Sequence, residues 1–436
     1  MDLYEMFKQC GSVATDSRAI RGGELFFGLK GENFDGSEYA ARALEAGAAY
    51  AVVSADSAPA RSGDPRVVAV PDPLKALQDL AREHRERTMV DGKRLTVIGL
   101  TGTNGKTTTK NLITKVLSTR YRVTATEGNL NNDIGVPLSL LKINDKTRIA
   151  VIEMGASHPD DIGHLCAVCE PDFGLITNVG KAHLLGFGSY EGVKQAKGQL
   201  YDHIQRQGGS IFLNAEDPVL AEMAAAREGL RCIEYGLVRE GVQVLPADAE
   251  HPFLRMLFPP LLESHLVGAY NAANVMAAVA VGRYFGVPLE DAVRAVGEYV
   301  PDNNRSQMER TARNILIEDA YNANPTSMAA ALDNFSFVQA AHKVALLGDM
   351  RELGTDSVRE HMDILRKAES LPLDLICLVG EEFGKAVVNI GQRRNVQLFK
   401  TSDALAAWLR DHPVSDATVL VKGSRGIRME KVLPEL

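Results

Sequence analysis

Cysteine is scarce in this chain: five in 436 residues, an odd number. No secretory signal is expected in MDLYEMFKQC, where charges stand in place of an apolar core. That usage argues against a disulfide framework and fits a reducing cytoplasm. Cys166 and Cys169 form one C-x-x-C near His164, but a lone pair makes a poor zinc site. Two cysteines on one apolar helix face are expected instead. Long apolar runs are lacking too. The weakly polar stretch 266–282 is broken by Asn271 and Asn274 and falls short of the ~18 residues of a membrane span, so no membrane partner is expected. Nor is there an excess of positive charge. Net charge is −8 and the pI about 5.8, which removes any general electrostatic case for nucleic acid. Repeats and low-complexity tracts are absent.

What is present is ordinary for a soluble globular protein: 45% hydrophobic and 24% charged residues. The length implies two to three domains. Residues 1–93 read as short strands and turns (ELFFGLKG, AAYAVV, RVVAV), with helices near 37–46 and 74–87 and a polar exit at 90–93. From 94 to 305, the apolar runs LTVIGL, RIAVIEMG, FGLITNVG and GSIFLNAE alternate with helical patterns. Such alternation predicts a mainly parallel sheet covered on both faces. From 306 to 436 it restarts with NILIEDAY, KVALLGD, LDLICLVG and ATVLVKGS. The expected fold is α/β in three domains: a small α/β N-terminal domain, a central phosphate-loop-type parallel sheet and a C-terminal Rossmann-like sheet.

The most informative stretch is VIGLTGTNGKTTTK, residues 97–110. A buried strand runs into a glycine-bearing turn and then a helix at 107–117, the context of a phosphate-binding loop. Gly102 and Gly105 let backbone amides curl around phosphate oxygens, and the helix N-terminus adds its dipole. Thr103, Asn104 and Thr108 complete the loop. Lys106 is suited to the terminal phosphates and the Thr107 hydroxyl to Mg²⁺. The common pattern asks for glycine where this chain has Leu100. A nucleoside triphosphate, ATP, is the expected ligand.

Other polar residues follow strands. Glu153 ends the run 149–152, where ligands of open α/β sheets collect, and is placed to hold Mg²⁺. His183 lies in the loop after 175–178, beside Asn178 and Lys181. A helix at 191–200 carries Lys194 and Lys197, which sequence physics alone does not single out. Asn271 and Asn274 share one face of an Ala/Val-rich helix, a pattern that suits an adenine edge and a satisfied core amide equally. Asp319, Asn322 and Asn324 follow strand 315–317, and the loops 348–350 and 422–426 end two later strands. A cleft between two α/β sheets is the economical inference.

TGTNGKTT, EMGA, NVGKAH, the helix motif at Asn271 and DAYNANP occur in one order, and together they resemble the ATP-dependent Mur ligases. TDSRAIRGGELFFGLKGENFDG resembles the nucleotide-sugar domain of that family, and GNLNNDIGVPLSLL and LGDMRELG extend the likeness over nearly the whole chain. Ala320 stands where serine is usual, Asp161 follows Asp160 where Gly-Glu is usual, and 231–261 is short. The resemblance implies UDP-N-acetylmuramoyl-tripeptide and D-alanyl-D-alanine as substrates of a cytoplasmic, monomeric ligase working through an acyl phosphate. It implies Lys106 on the transferring phosphoryl group. Thr107 and Glu153 would hold one Mg²⁺, and His183 would help to place a second. Lys197 would carry a carbamate, and Asn271, Arg305, Asp319 and Asn322 would contact the nucleotide. Thr15, Asp16, Ser17 and Arg18 would face the uridine nucleotide.

Overall fold

The computed structural model describes residues 2–31, 33–247, 251–301, 307–390 and 395–436. Three mainly parallel sheets organise it. In the first, Val13–Ala14, Leu25–Phe27, Tyr50–Ser54 and Val67–Val70 lie side by side in chain order. Helix Pro73–Arg87 closes one face. Asp72 caps it by accepting from the Leu74 and Lys75 amides, and proline fills its first position, where a missing N–H costs nothing.

That helix joins two domains. Leu77, Leu80 and Ala81 are buried in the same core as Val97, Ile152 and Cys166. Arg85, fully buried, donates to Asp172 at 2.8 Å, and Asp172 also accepts from the Val97 amide. Burial of so much charge is tolerable only with these partners. The polar exit expected at 90–93 is a tight hairpin of Met89–Val90 with Lys93–Arg94. Asp91 and Gly92 both take positive φ, as a two-residue hairpin turn requires.

The central sheet has six parallel strands in the order Arg231–Tyr235, Ser210–Asn214, Phe173–Ile176, Thr96–Thr101, Ile149–Glu153, Val123–Ala125. Thr96–Thr101 and Ile149–Glu153 are buried on both faces, hence their unbroken apolar runs. Lys106–Leu117, Ala272–Tyr284 and Leu289–Gly297 cover one face; Asp161–Cys169 and Tyr190–Gln207 cover the other. Cys166 and Cys169 sit on that apolar helix face as expected, their sulfurs 3.8 and 3.7 Å from the Met154 sulfur. Burial pushes the Cys169 thiol up to about 12. A small antiparallel sheet (Gln243–Leu245, Arg255–Leu257, Leu261–Glu263) was not expected; its strands are three residues long and each has an exposed end.

The C-terminal sheet runs Gln307–Arg310, Ile315–Asp319, Ala417–Lys422, His342–Gly348, Leu375–Val379, Val396–Phe399. Its four inner strands are those read from the sequence. The antiparallel edge strand Gln307–Arg310 and the outer Val396–Phe399 escaped notice because neither has an unbroken apolar run.

Candidate active site

The phosphate loop needs its glycines for space. At Gly102 (φ +148°) a Cβ would fall 1.9 Å from the Thr177 hydroxyl; at Gly105 (φ +78°) it would fall 2.6 Å from the Asn274 amide oxygen. Leu100, in place of the usual glycine, is a buried strand residue before the loop begins. Asn178 and Thr177 fix the loop's crest. The Asn104 amide donates to Asn178 Oδ1 at 3.0 Å, and its carbonyl accepts from Thr177 Oγ1 at 2.6 Å and Asn178 Nδ2 at 2.9 Å. Lys106 opens helix Lys106–Leu117 and folds its ammonium back onto the carbonyls of Gly102 (2.8 Å) and Thr103 (3.1 Å).

Glu153 is buried at its strand end. Its Oε1 accepts from Asn131 Nδ2 at 2.8 Å and from the Thr107 hydroxyl at 3.2 Å, while Oε2 is buried with no hydrogen-bond partner among the described residues. An orphaned carboxylate oxygen beside a hydroxyl is a costly arrangement without a ligand. It fits a hard, oxygen-seeking cation such as Mg²⁺, which takes one or two carboxylates, a hydroxyl and substrate phosphates. Asn131, from the GNLNND string, was not singled out in the sequence.

His183 sits in the left-handed region (φ +52°), a strained conformation for a non-glycine residue. Its Nδ1 is in close contact with Glu352 of the C-terminal domain. Burial lowers its pKa, against the pull of Glu352. Lys197 lies in the longer-than-expected helix Tyr190–Gln207, 3% exposed, its ammonium 5.9 Å from the Phe187 ring centroid. Burial, and then Lys106, holds it well below the usual lysine range, so a neutral amine is accessible.

Asn271 and Asn274 form a buried chain. Asn271 Nδ2 donates to the Val267 carbonyl at 2.8 Å, its oxygen accepts from Asn274 at 2.9 Å, and Asn274 Oδ1 accepts from the Thr109 hydroxyl at 3.0 Å. The amides tie their helix to the phosphate-loop helix, and Asn271 still lines the cavity. Asp319 is paired closely with the buried Lys422, which also donates to the Asn322 carbonyl at 3.3 Å. Arg305 falls outside the described residues. Thr15, Asp16, Ser17 and Arg18 follow the first strand and lie outside the cavity lining; Asp16 is drawn down to about 2 by its hydrogen bonds from Arg18.

One cavity of about 1630 Å³ brings most of the rest together, though Gly102 and Lys197 are not among its lining residues. Lys75, Gln78 and Arg82 of the first domain, the phosphate loop with Glu153 and His183, and Asp319, Asn322 and Asn324 all line it. Two amides span it: Asn324 Nδ2 donates to Asn104 Oδ1 at 2.7 Å, and Lys181 meets Glu360 at 2.8 Å nearby. The phosphate-loop wall thus faces a second sheet's loops across one cavity.

Residues 10–85 match the Mur ligase family catalytic domain, 100–282 the Mur ligase middle domain, and 304–425 the Mur ligase glutamate ligase domain. The chain belongs to the Mur ligase family. The UDP-N-acetylmuramoyl-tripeptide–D-alanyl-D-alanine ligase of Bacillus subtilis is 33% identical over 97% of this chain and 92% of that protein. The Haemophilus influenzae enzyme of the same name is 32% identical over 98% and 94%. Among solved structures, MurF from Acinetobacter baumannii superposes with a TM-score of 0.85 at 30% identity, covering 98% of this chain and 93% of that one. MurF from Thermotoga maritima, solved in complex with ADP, gives 0.83 at 25% identity, covering 100% and 98%. The three-domain α/β architecture read from the sequence is that of these Mur ligases.

Proposed function

We infer that the chain is an ATP-dependent ligase that joins D-alanyl-D-alanine to UDP-N-acetylmuramoyl-tripeptide, acting as a monomer in the cytoplasm in peptidoglycan precursor synthesis. The observation that carries the reading is the orphaned Glu153 oxygen beside Thr107, in one cavity with the loops of a second sheet. Substrate identity rests on full-length relatives named for that reaction. The domain roles follow: 1–93 for the uridine nucleotide through Thr15, Asp16, Ser17 and Arg18, 94–305 for ATP, and 306–436 for the incoming dipeptide.

In the proposed mechanism the terminal carboxylate of the tripeptide attacks the γ-phosphorus, ADP leaves, and an acyl phosphate forms. The dipeptide amine then attacks the acyl carbon, loses a proton, and inorganic phosphate departs with one former carboxylate oxygen. Phosphoryl transfer demands positioning and charge neutralisation more than covalent help. Lys106 swings from its loop carbonyls onto the transferring group, while the amides of Gly102, Gly105 and Thr108 cradle the phosphates and those of Thr103 and Asn104, bonded to Asn178, hold the loop in shape. Thr107 and Glu153 would hold Mg²⁺, with His183 near a second ion; bound there, Mg²⁺ supplies charge neutralisation on the phosphates. Lys197, as a carbamate, would add a carboxylate to the same wall. Asn271, Arg305, Asp319 and Asn322 would contact the nucleotide. The interdomain bonds at Asn324 and Glu360 hold the cleft shut, which protects an acyl phosphate from water.

The test is phosphate release with Mg-ATP, UDP-N-acetylmuramoyl-tripeptide and D-alanyl-D-alanine, each omitted in turn. Release that needs all three, with a product heavier by the dipeptide, is expected. Release with a folate and glutamate instead would move the chain to a sibling ligase, and binding of ATP without any release would make it a switch.

A further inference from the structure

Two residues that lack glycine's freedom hold the left-handed backbone conformation on facing loops of the cleft, and they meet. His183 (φ +52°) belongs to the central domain and Glu352 (φ +64°) to the C-terminal domain, and both line the cavity. Such a conformation is costly away from glycine and persists only where the surroundings fix it. His183 Nδ1 is in close contact with Glu352 Oε2, and the Glu352 carbonyl accepts from the Leu185 amide at 3.1 Å. One residue thus grips a turn of the other domain with both its side chain and its backbone.

Glu352 is placed by its own wall. The Met350 amide donates to Nε2 of the buried His361 at 2.9 Å, and the Arg351 amide donates to Ser424 Oγ at 3.0 Å. His361 is itself oriented by the Ser357 carbonyl, 2.7 Å from its Nδ1, so its proton sits on Nδ1 and Nε2 is left to accept. The same logic applies to His183. Burial disfavours its charged form, and an ionised carboxylate can only accept. A neutral ring that turns Nδ1 to Glu352 therefore carries its proton there and keeps a lone pair on Nε2. Among the described residues no hydrogen bond reaches that second nitrogen.

We propose that Glu352 is a positioning residue, fixing the tautomer and orientation of the His183 ring so that Nε2 is offered to a divalent cation in the cleft. The inference rests on the ligase reading above, which puts a second Mg²⁺ near His183, and adds to it a carboxylate from the other domain. A histidine that binds a metal through one nitrogen typically donates its other N–H to a carboxylate or carbonyl, which orients the ring and raises its basicity. On this account His183 is ready as a ligand only when the C-terminal domain is seated. The rival reading makes the pair a mere latch. A latch already exists in the bond from the Leu185 amide to the Glu352 carbonyl, which does not depend on the side chain at 352.

The experiment has two readouts besides turnover, each taken in wild type, E352A and E352Q. Histidine ring nitrogens are followed by ¹⁵N NMR in the metal-free protein, with H183Q to assign His183 among the ten histidines. Binding of Mn²⁺ in place of Mg²⁺ is followed by electron paramagnetic resonance with a non-hydrolysable ATP analogue. Wild type should show an unprotonated Nε2 at His183 and two classes of Mn²⁺ site. E352A should lose the fixed tautomer and weaken one class about 10–100-fold, leaving the other unchanged. E352Q, which keeps an oxygen acceptor, should fall between the two. Loss of kcat should follow the weakened site and recover in part at high Mg²⁺. A wild-type His183 protonated on Nε2 overturns the proposal. Unchanged Mn²⁺ binding in E352A with a larger radius of gyration makes Glu352 a latch alone and also overturns it. A single class of site in wild type removes the second ion and this proposal with it, while the ligase reading stands or falls separately by the phosphate-release assay.

Discussion

The two walls of the cleft are held in different ways. On the central wall the phosphate loop is fastened by its own sheet: Thr177 and Asn178 grip Asn104, and Thr107 and Asn131 grip Glu153. On the C-terminal wall, three loops distant in sequence meet through one hydroxyl, that of Ser424. Among the described residues the first wall has an unsatisfied anion, Glu153 Oε2, and on the second the guanidinium groups of Arg351 and Arg425 bond to a carbonyl and a hydroxyl. A site divided in this way is complete for chemistry only when the walls meet, and local order on one wall says little about the other.

The largest effect should come from emptying the central wall of its cation. Lys106→Ala should lower kcat by about 10³-fold or more, since a lysine on a transferring phosphoryl group acts mainly in the transition state. Melting temperature should stay near wild type, because the lysine's hydrogen bonds to the Gly102 and Thr103 carbonyls stay within its own loop; a coupled phosphate assay and a thermal melt read the two. Turnover near the wild-type rate would remove the phosphate loop from the mechanism. Next, Glu153→Gln keeps a side-chain oxygen for Asn131 and Thr107 but removes the charge. Activity should fall about 10²-fold and recover in part at high Mg²⁺, with stability unchanged or raised. Activity independent of Mg²⁺ concentration in both proteins would contradict a metal site there.

A smaller effect tests the bridge between the walls. Among the described residues the Asn104 side chain bonds only to Asn324, while the loop's fastening uses its backbone. Asn104→Ala therefore cuts the bridge alone. A neutral hydrogen bond is worth about 0.5–1.5 kcal/mol, so closure should weaken about two- to tenfold. A larger radius of gyration by scattering in the doubly liganded state would register it; superimposable profiles would not support a closing role.

The smallest signal is in stability against pH. Burial holds the folded Lys197 pKa below that of the unfolded chain, which is about 10.4. Between those two values the unfolded chain binds more protons, so stability falls as pH drops through the window and is level below it. Lys197→Met should flatten that slope and raise the melting temperature at neutral pH, while activity is lost. An unchanged slope in alkaline melts would mean that the amine is not the buried base inferred here.

Legibility in the sequence followed the same division. The central wall could be read because strand, glycines, lysine and threonine are contiguous, and because Glu153 ends an unbroken apolar run. Asn131 was missed, since a loop asparagine carries no pattern until folding sets it beside Glu153. On the second wall the loops were found from their strands, but the contacts that Arg351, Glu352 and Arg425 make there were not. Their meaning comes from which neighbour each side chain does or does not pair with, and pairing crosses 70 residues or more. The Asn271 pair was left open between two readings, and the structure shows satisfied amides that also face the cavity.

The most direct test of two walls meeting around one carboxylate is an isotope experiment. UDP-N-acetylmuramoyl-tripeptide labelled with ¹⁸O in its terminal carboxylate is turned over with ATP and D-alanyl-D-alanine, and the phosphate is examined by mass spectrometry. One labelled oxygen in inorganic phosphate, with ADP as the nucleotide product, is the expected result. Label appearing in AMP, or unlabelled phosphate alongside a formed amide, would contradict carboxylate attack on the γ-phosphoryl group held by Lys106.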